Sequence, residues 1–290
     1  MFQDIVLFGK EIDLYDPITR LGQLCIILWI AFNLKEYKAI STFSNIPEAK
    51  RGAEKSNFFF KWLIPFFGIF FVFLFLFALN APITPMISKL FLGDKSDNFF
   101  YNILILPIGL FLAGTLLKMS PLKFMDYIAP AISLALIFFK LACACCGCCY
   151  GVPSEKFGIM NHYNERMEFP VQLVELGCAV IMFVIILLVR RKKDKTPGIL
   201  YPMFMLMYCG SRFVSEFWRG DYPEVWGPLK GYHIQCIIGF VEGLIFLFVA
   251  LKWGRRITER FQTKRQTILE RFQNNKKGKS KKGGSSKKKK

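Results

Sequence analysis

Long apolar segments constrain the fold of this chain more than any other feature. Seven of them are at Thr19–Leu34, Phe58–Asn80, Phe99–Leu117, Leu122–Cys143, Val171–Val189, Gly198–Phe217 and Ile234–Leu251. Apolar runs of about 18 residues or more are typical of transmembrane helices. The chain is also 53% hydrophobic with 32 phenylalanines, which exceeds what a soluble domain of 290 residues needs. We therefore predict an all-α, polytopic membrane protein with about seven transmembrane helices.

The distribution of basic residues predicts the orientation of these helices. Lysine and arginine are concentrated after the first segment, between the fifth and sixth segments at Arg190–Lys195, and after the last segment. The intervening loops contain few basic residues. Because cytoplasmic loops carry the excess of lysine and arginine, the N-terminus is predicted outside and the C-terminus in the cytoplasm. Met1–Asp16 lacks a basic n-region, so we expect no cleavable signal peptide.

The predicted domain organisation has three parts. Residues 1–16 form an outer segment, residues 17–252 form the transmembrane domain, and residues 253–290 form a basic cytoplasmic tail. The tail is rich in lysine, glycine and serine and contributes much of the net charge of +18, so it is predicted to be largely disordered. A basic helix between Arg255 and Phe272 could lie on the inner leaflet. Anionic lipids, rather than nucleic acid, are the expected partners of the tail.

The sixth apolar segment contains an unusual group of polar side chains. Tyr208, Arg212, Glu216 and Arg219 follow one another at spacings of four, four and three residues, which places them on one face of a helix. A charged side chain at bilayer depth costs about 3 kcal/mol on insertion scales. Two interpretations remain open: the arginines bind an anionic substrate, or an Arg–Glu pair joins two helices.

A cysteine-rich run forms the second informative feature. Five of the nine cysteines lie within Cys143–Cys149. Three interpretations compete: a metal site, disulfide or redox chemistry, and a tight turn of small residues that packs around a site. Zinc sites usually need two separated ligand pairs, and adjacent cysteines rarely pair with each other. We favour packing, and we expect no bound metal and no cofactor.

Several segments, in a specific order, resemble one enzyme family. Ser120–Ala131 followed by Lys140–Gly151 is similar to the signature of the bacterial phosphatidylglycerol–prolipoprotein diacylglyceryl transferases. Phe169–Glu175 resembles the family's His-Pro-Thr-Gln-Leu-Tyr-Glu segment. Tyr208–Asp221 resembles its Tyr-Gly-x-x-Arg-Phe-x-x-Glu-x-x-Arg segment. The resemblance covers most of the chain from Pro17 to Leu251.

The chain also departs from the family pattern at several positions. Lys140 occupies the position of the signature arginine, and Phe169 occupies that of a histidine. Cys143 and Cys146 replace the two asparagines of the turn, and Cys148 replaces its glutamate. The family's His-Gly-Gly segment has no counterpart either. The two histidines of the chain, His162 and His233, lie outside the family motifs.

The resemblance implies a chemical reaction and a set of site residues. The reaction moves a diacylglyceryl group from phosphatidylglycerol to a cysteine thiol of a prolipoprotein, in the bacterial plasma membrane. The charge that develops on the phosphate suits the planar fork of arginine. The expected residues are Arg212, Tyr208 and Glu216 for catalysis, Lys140, Arg212, Arg219 and Gln172 for the phospholipid headgroup, and His233 or His162 as a base.

Three alternative functions remain. A catalytically impaired paralogue that binds phospholipid is compatible with the missing histidines. Another membrane lipid-group transferase would use the same kind of site. A transporter would also place charges at depth, but it would usually show broken helices in related halves, and the sequence has no such repeat.

Overall fold

The computed structural model describes about two thirds of the chain. The described residues are 5–7, 10–12, 14–33, 106–107, 109–112, 114–115, 120–161, 165–192, 196–221, 224–226 and 229–285. The predicted span Phe58–Asn80 and most of Phe99–Leu117 lie outside these residues, as does His162.

Helices dominate the described part of the chain. They are α1 (Tyr15–Phe32), α2 (Pro121–Cys146), α3 (Val171–Arg191), α4 (Leu200–Ser215) and α5 (Gly231–Ser285). A 3-10 turn at Glu216–Trp218 continues α4.

Three helices of the described chain are long and apolar enough to cross a membrane. They are α2, α3 and the first part of α5, Gly231–Thr263. The mostly helical membrane architecture is therefore confirmed, whereas seven spans and the orientation of the termini stay predictions. Helix α4 is shorter than the predicted span Gly198–Phe217, because its last turn tightens into the 3-10 turn. Its 16 residues extend about 24 Å at 1.5 Å per residue, less than a hydrocarbon core of about 30 Å.

Helix α2 lies at the centre of the described bundle. It contacts α1, α3, α4 and α5, whereas α3 and α5 each also pack on α4. Its residues Phe124, Tyr127 and Ala131 are fully buried, and Tyr201 and Phe204 of α4 are buried in the same core. The many apolar side chains on α3 and α5 that remain exposed are consistent with faces that meet lipid.

A buried carboxylate on α2 fixes the beginning of α4. The two oxygens of Asp126 accept hydrogen bonds from the backbone N–H groups of Gly198 (2.7 Å) and Leu200 (2.8 Å). The first N–H groups of a helix have no partner within the helix, so a carboxylate satisfies them well. Asp126 therefore ties α4 to α2.

Three small antiparallel hairpins accompany the helices, a feature that the all-α prediction lacks. They pair β1 (Ile5–Leu7) with β2 (Lys10–Ile12), β3 (Ile159–Asn161) with β4 (Arg166–Glu168), and β5 (Glu224–Trp226) with β6 (Leu229–Lys230). The second hairpin connects α2 to α3, and the third connects α4 to α5. These two connections hold the helix ends that carry the charged residues.

Helix α5 extends into the basic tail, and the predicted division of the chain into three parts, with a largely disordered tail, stays a prediction. Helix α5 continues through Ser285, so residues 253–285 are helical. The segment Arg255–Phe272, where a basic helix was predicted, lies within α5. Lysine, arginine, glutamine and glutamate are good helix formers, and basic residues near a C-terminus also interact favourably with the helix dipole.

Candidate active site

Four helix ends meet at one end of the bundle and bring the charged residues together. Lys140 lies near the end of α2, Glu175 near the beginning of α3, Arg212 in the last turn of α4, and Lys230 just before α5. Helices α2, α3, α4 and α5 run alternately up and down, so these positions fall at the same level. The predicted orientation places this end at the outer face of the membrane.

Glu175 occupies the centre of the charged cluster. Its Oε2 atom accepts a hydrogen bond from Nζ of Lys140 at 2.7 Å, and its Oε1 atom accepts one from Nη1 of Arg212 at 2.5 Å. The hydroxyl of Ser215 also donates to Oε1 at 2.7 Å, and Nη1 of Arg219 lies 3.6 Å from Oε2. The side chain of Glu175 is 6% exposed. Three cations from two helices and the following turn therefore converge on one buried carboxylate.

Arg212 uses its guanidinium to join two carboxylates. Its Nη1 atom bonds to Glu175, while Nη2 lies 3.0 Å from Oε2 of Glu216. Glu216 is fully buried. It therefore holds the guanidinium of Arg212 in place. The ring of Tyr232 lies 5.3 Å from the Arg212 guanidinium carbon, at a distance suited to a cation–π contact.

Arg219 reaches the cluster from just beyond the 3-10 turn. Its Nε atom donates to Oδ1 of Asp221 at 2.9 Å, and its Nη2 atom pairs with Oδ2. Nζ of Lys230 donates to the backbone carbonyls of Glu216 (3.0 Å) and Arg219. Burial raises the pKa of Asp221, and the adjacent Arg219 opposes that rise. The bidentate pair with Asp221 fixes the guanidinium of Arg219.

The cluster contains more positive than negative charges. The four cations Lys140, Arg212, Arg219 and Lys230 face the three carboxylates Glu175, Glu216 and Asp221, which leaves one positive charge. A buried excess of positive charge favours an anionic ligand.

A crevice with an apolar wall opens on the cluster. The crevice is narrow, with a cavity volume of about 10 Å³, close to that of one water molecule. It is lined by Leu136, Lys140, Glu175, Cys178, Met182, Tyr208, Ser211 and Arg212. Most of this lining is apolar, with the charged groups concentrated at Lys140, Glu175 and Arg212. A ligand with a charged group and an apolar chain would match this distribution.

The cysteine turn packs directly against the cluster. Helix α2 ends at Cys146, and the next residue, Gly147, has a left-handed φ of 76° that suits glycine. At Gly151 a Cβ atom would lie 2.1 Å from the carbonyl oxygen of Phe169, so no larger residue fits without a shift. Val152 N–H donates to the carbonyl of Trp218 (2.9 Å), and Gly220 N–H donates to that of Tyr150 (2.9 Å). The turn thus holds the backbone on both sides of Arg219.

The thiols of the turn have perturbed acidities. Hydrogen bonds with the Cys143 and Cys148 thiols lower the pKa of Cys149, and the nearby Arg219 and Lys140 lower it further. Hydrogen bonds with Cys143, Cys146 and Cys149 raise the pKa of Cys148.

The structure brings most of the expected site residues together. Lys140, Arg212, Glu216 and Arg219 form the charged cluster, and Tyr208 lines the crevice beside it. However, the anion beside Lys140 is Glu175, a side chain that the sequence analysis left out.

Gln172 lies at the edge of the site. Its Nε2 atom donates to the carbonyl of Cys148 at 2.9 Å. Its Oε1 atom is buried without a hydrogen-bond partner among the described residues. This oxygen can accept a hydrogen bond from a ligand, for example from a hydroxyl group.

His233 is placed poorly for a base. Its Nδ1 atom accepts the N–H of Lys230 at 2.9 Å, so a neutral ring carries its proton on Nε2. Nε2 is buried without a hydrogen-bond partner in the described structure, and the ring packs against Phe213 (4.9 Å) and Phe217 (4.4 Å). The Nδ1 lone pair, with which a neutral imidazole could accept a proton, is therefore already engaged by the N–H of Lys230.

Two residues of the site were missed in the sequence. Glu175 ends the Phe169–Glu175 segment and is an acidic residue within an apolar span, which is the same signal that singled out Arg212. Ser215 carried no signal, because serine is common in helices that pack closely.

Comparison with known proteins identifies the family. The model of the prolipoprotein diacylglyceryl transferase family matches residues 102–249, about half of the chain. The chain belongs to this family, which confirms the resemblance seen in its motifs.

Two curated relatives are similar to part of the chain. Phosphatidylglycerol–prolipoprotein diacylglyceryl transferase 2 of Clostridium perfringens (strain 13 / Type A) is 26% identical over 156 residues, which cover 52% of this chain and 61% of the relative. Phosphatidylglycerol–prolipoprotein diacylglyceryl transferase of Clostridium tetani (strain Massachusetts / E88) is 28% identical over 106 residues, which cover 34% and 42%. The chain thus spans about three fifths of the first relative and under half of the second.

Proposed function

We propose that this chain transfers the diacylglyceryl group of phosphatidylglycerol to the lipobox cysteine of prolipoproteins, at the outer face of a bacterial plasma membrane. Its family and the names of its two relatives support this reaction. The observation that carries the proposal is the buried cluster of Lys140, Arg212 and Arg219 around Glu175, beside a crevice with an apolar wall.

The crevice and the cluster suit the two parts of a phospholipid. After the narrow crevice widens, its apolar wall, which includes Leu136 and Met182, would contact an acyl chain, and the cluster would take the headgroup phosphate. The free Oε1 atom of Gln172 would accept a hydroxyl of the headgroup glycerol.

The reaction breaks one bond and forms another. The sulfur of the lipobox cysteine attacks the diacylglyceryl carbon and forms a thioether, while the bond from that carbon to the phosphate oxygen breaks. Glycerol phosphate leaves with the electron pair, and the thiol proton passes to solvent or to the leaving group. Arg212 and Arg219 would stabilise the charge on the leaving phosphate, a contribution worth about 10²- to 10³-fold in rate per donor.

In the absence of lipid, Glu175 would serve as the counterion of Lys140, Arg212 and Arg219. Both terminal nitrogens of Arg212 are occupied by carboxylates, so a phosphate must share or replace Glu175. Lys140, with a single ammonium and a flexible stem, is the cation best able to turn from Glu175 toward the headgroup. The carboxylate therefore keeps the cations ordered until lipid binds.

A phospholipid-binding protein without transfer activity is the second candidate. The ring of His233 is engaged, and Phe169 occupies the family's histidine position. The described residues then offer no free histidine base, and the cluster would bind phospholipid without catalysing transfer.

Complementation tests the proposed activity. The chain is expressed in a strain depleted of its own transferase, and conversion of prolipoprotein is followed by mobility shift. We expect conversion with the wild type and none with Arg212→Ala. Absence of conversion by a correctly inserted wild type, with retained phosphatidylglycerol binding, would favour the second candidate.

The topology and the tail extend this proposal. Seven spans with the C-terminus in the cytoplasm would place the basic part of α5 against the inner leaflet. Anionic lipid would then bind Lys252–Lys290, at about 1 kcal/mol per basic residue near the surface.

A further inference from the structure

We propose that Cys143, Cys148 and Cys149 bind one thiophilic d¹⁰ cation, with Zn²⁺ as the preferred ion. The site lies in the turn that follows α2, and this inference does not depend on the transferase activity. It revises the expectation, drawn from cysteine spacing, that the run only packs.

The positions of the three sulfur atoms match those of metal ligands. All three Sγ atoms lie within 4.8 Å of one another, and Sγ of Cys143 and Cys149 are 3.8 Å apart. Zn–S bonds of about 2.3 Å in a tetrahedron place two sulfurs about 3.8 Å apart. One ion therefore fits between these thiols with small side-chain movements.

The backbone of the turn explains why neighbouring cysteines converge. Gly147 (φ 76°) and Cys149 (φ 58°) are both left-handed, so the chain reverses after α2. This reversal brings Cys148 and Cys149 back to Cys143, which still lies on the helix. Zinc ligands usually come from two separated pairs in a sequence. A turn that folds back in this way can bring ligands together without a second pair.

The other cysteines of the run are placed differently. Sγ of Cys146 accepts the N–H of Cys148 at 3.4 Å, and its thiol contacts the carbonyl of Cys143 at 3.7 Å. Cys145 lies outside the group of three. Cys145 is therefore a matched control within the same run.

The surroundings compensate the charge of the proposed complex. Three thiols lose their protons to solvent, and three thiolates with Zn²⁺ carry one negative charge. Arg219 and Lys140 are close enough to interact electrostatically with Cys149. A water molecule or a fourth ligand would complete the tetrahedron.

A bound ion would stabilise the charged end of the bundle. The carbonyl of Cys148 accepts from Gln172 (2.9 Å), and that of Gly147 accepts from Asn161 (3.1 Å). The ion would join the end of α2 to the same turn. A disulfide between Cys143 and Cys149 is the competing outcome, but it requires the sulfurs to approach to about 2.05 Å.

Metal titration of the full-length protein tests the proposal. The protein is purified in detergent with a thiol-free reductant and a chelator, then titrated with Co²⁺, followed by Zn²⁺ or Cu⁺ in separate arms. We expect one Co²⁺ per chain with a thiolate-to-metal charge-transfer band, and stoichiometric displacement of that band by Zn²⁺. Elemental analysis of protein purified without chelator should find about one zinc per chain.

Single substitutions locate the ligands. Cys143→Ser, Cys148→Ser and Cys149→Ser should each weaken Zn²⁺ binding at least tenfold, whereas Cys145→Ser should leave it unchanged. If a ligand variant does not fold, the intensity of the wild-type band still reports the number of thiolates. Absence of that band, equal loss of metal in Cys145→Ser, or a Cys143–Cys149 disulfide in protein from native membranes would overturn the proposal. If the same cysteines bind Cu⁺ more tightly than Zn²⁺, the assignment of zinc as the preferred ion would be wrong.

Discussion

Nζ of Lys140 lies 2.7 Å from Oε2 of Glu175, and this ion pair joins the end of α2 to the beginning of α3. Both side chains are at least nine-tenths buried. Arg212 on α4 approaches the other oxygen of the same carboxylate, so Glu175 connects three helices. Before lipid binds, Glu175 would therefore neutralise the cations that we propose to hold the phosphate.

Neutralising Glu175 should destabilise the protein and reduce transfer. Glu175→Gln leaves Lys140 and Arg212 without their shared carboxylate, and removal of one member of a buried ion pair typically costs about 3–5 kcal/mol. Thermal unfolding in detergent measures the effect. The control is Glu259→Gln, because Glu259 is exposed on α5. Equal melting temperatures of the two variants would contradict a central role for Glu175.

Substitutions of Lys140 separate charge from geometry. Lys140→Arg keeps the pair with Glu175 and restores a planar fork, so transfer should be preserved or raised. Lys140→Ala should abolish transfer and weaken phosphatidylglycerol binding. Binding to vesicles with and without phosphatidylglycerol provides the measurement. Unchanged lipid binding and turnover in Lys140→Ala would show that Lys140 makes no headgroup contact.

Asp126 should contribute to stability without touching the site. Asp126→Ala removes both acceptors at the beginning of α4, and a hydrogen bond to a charged group is worth about 1.5–3 kcal/mol. We expect a clear fall in melting temperature, with Asp126→Asn intermediate because it retains one oxygen. Asp16→Ala is the control, since among the described residues the carboxylate of Asp16 forms an exposed pair with Arg20 at 3.8 Å. A loss no larger than that of the control would contradict the capping role.

The orientation of α3 gives a topological prediction. Reporter fusions after Phe157, in the loop before α3, and after Lys192, at its end, should lie on opposite sides of the membrane. The loop charges place Lys192 in the cytoplasm. An alkaline phosphatase reporter should be active only at Phe157, and a fluorescent protein only at Lys192. Activity of the same reporter at both positions would contradict the predicted orientation.

The sequence predicted the helices better than the contacts between them. Apolar length located α2 and α3 within a few residues, because burial in lipid requires a continuous apolar run. Periodicity placed Arg212 and Glu216 together, since they are one helical turn apart. Arg219 joins them although α4 has already ended, which periodicity could not show.

Long-range pairing was the part that the sequence could not provide. Lys140 and Glu175 are separated by 35 positions, and their contact depends on how α2 packs against α3. The convergence of the thiols in the cysteine turn is a second contact that spacing could not predict. Its sulfurs converge because Gly147 and Cys149 have left-handed backbone conformations. The usual sequence spacing of metal ligands, in two separate pairs, does not describe such a turn.

The most direct test of the account is transfer in vitro by wild type and Arg212→Lys. Purified protein is supplied with phosphatidylglycerol and a lipobox peptide, and the thioether product and released glycerol phosphate are quantified. Arg212→Lys keeps the charge but loses the two-pronged contact with Glu175 and Glu216, so we expect transfer to fall about 100-fold while the protein stays folded. Arg255→Lys, at an exposed position on α5, should retain wild-type activity. Wild-type turnover in Arg212→Lys would contradict the assignment of Arg212 as the phosphate contact.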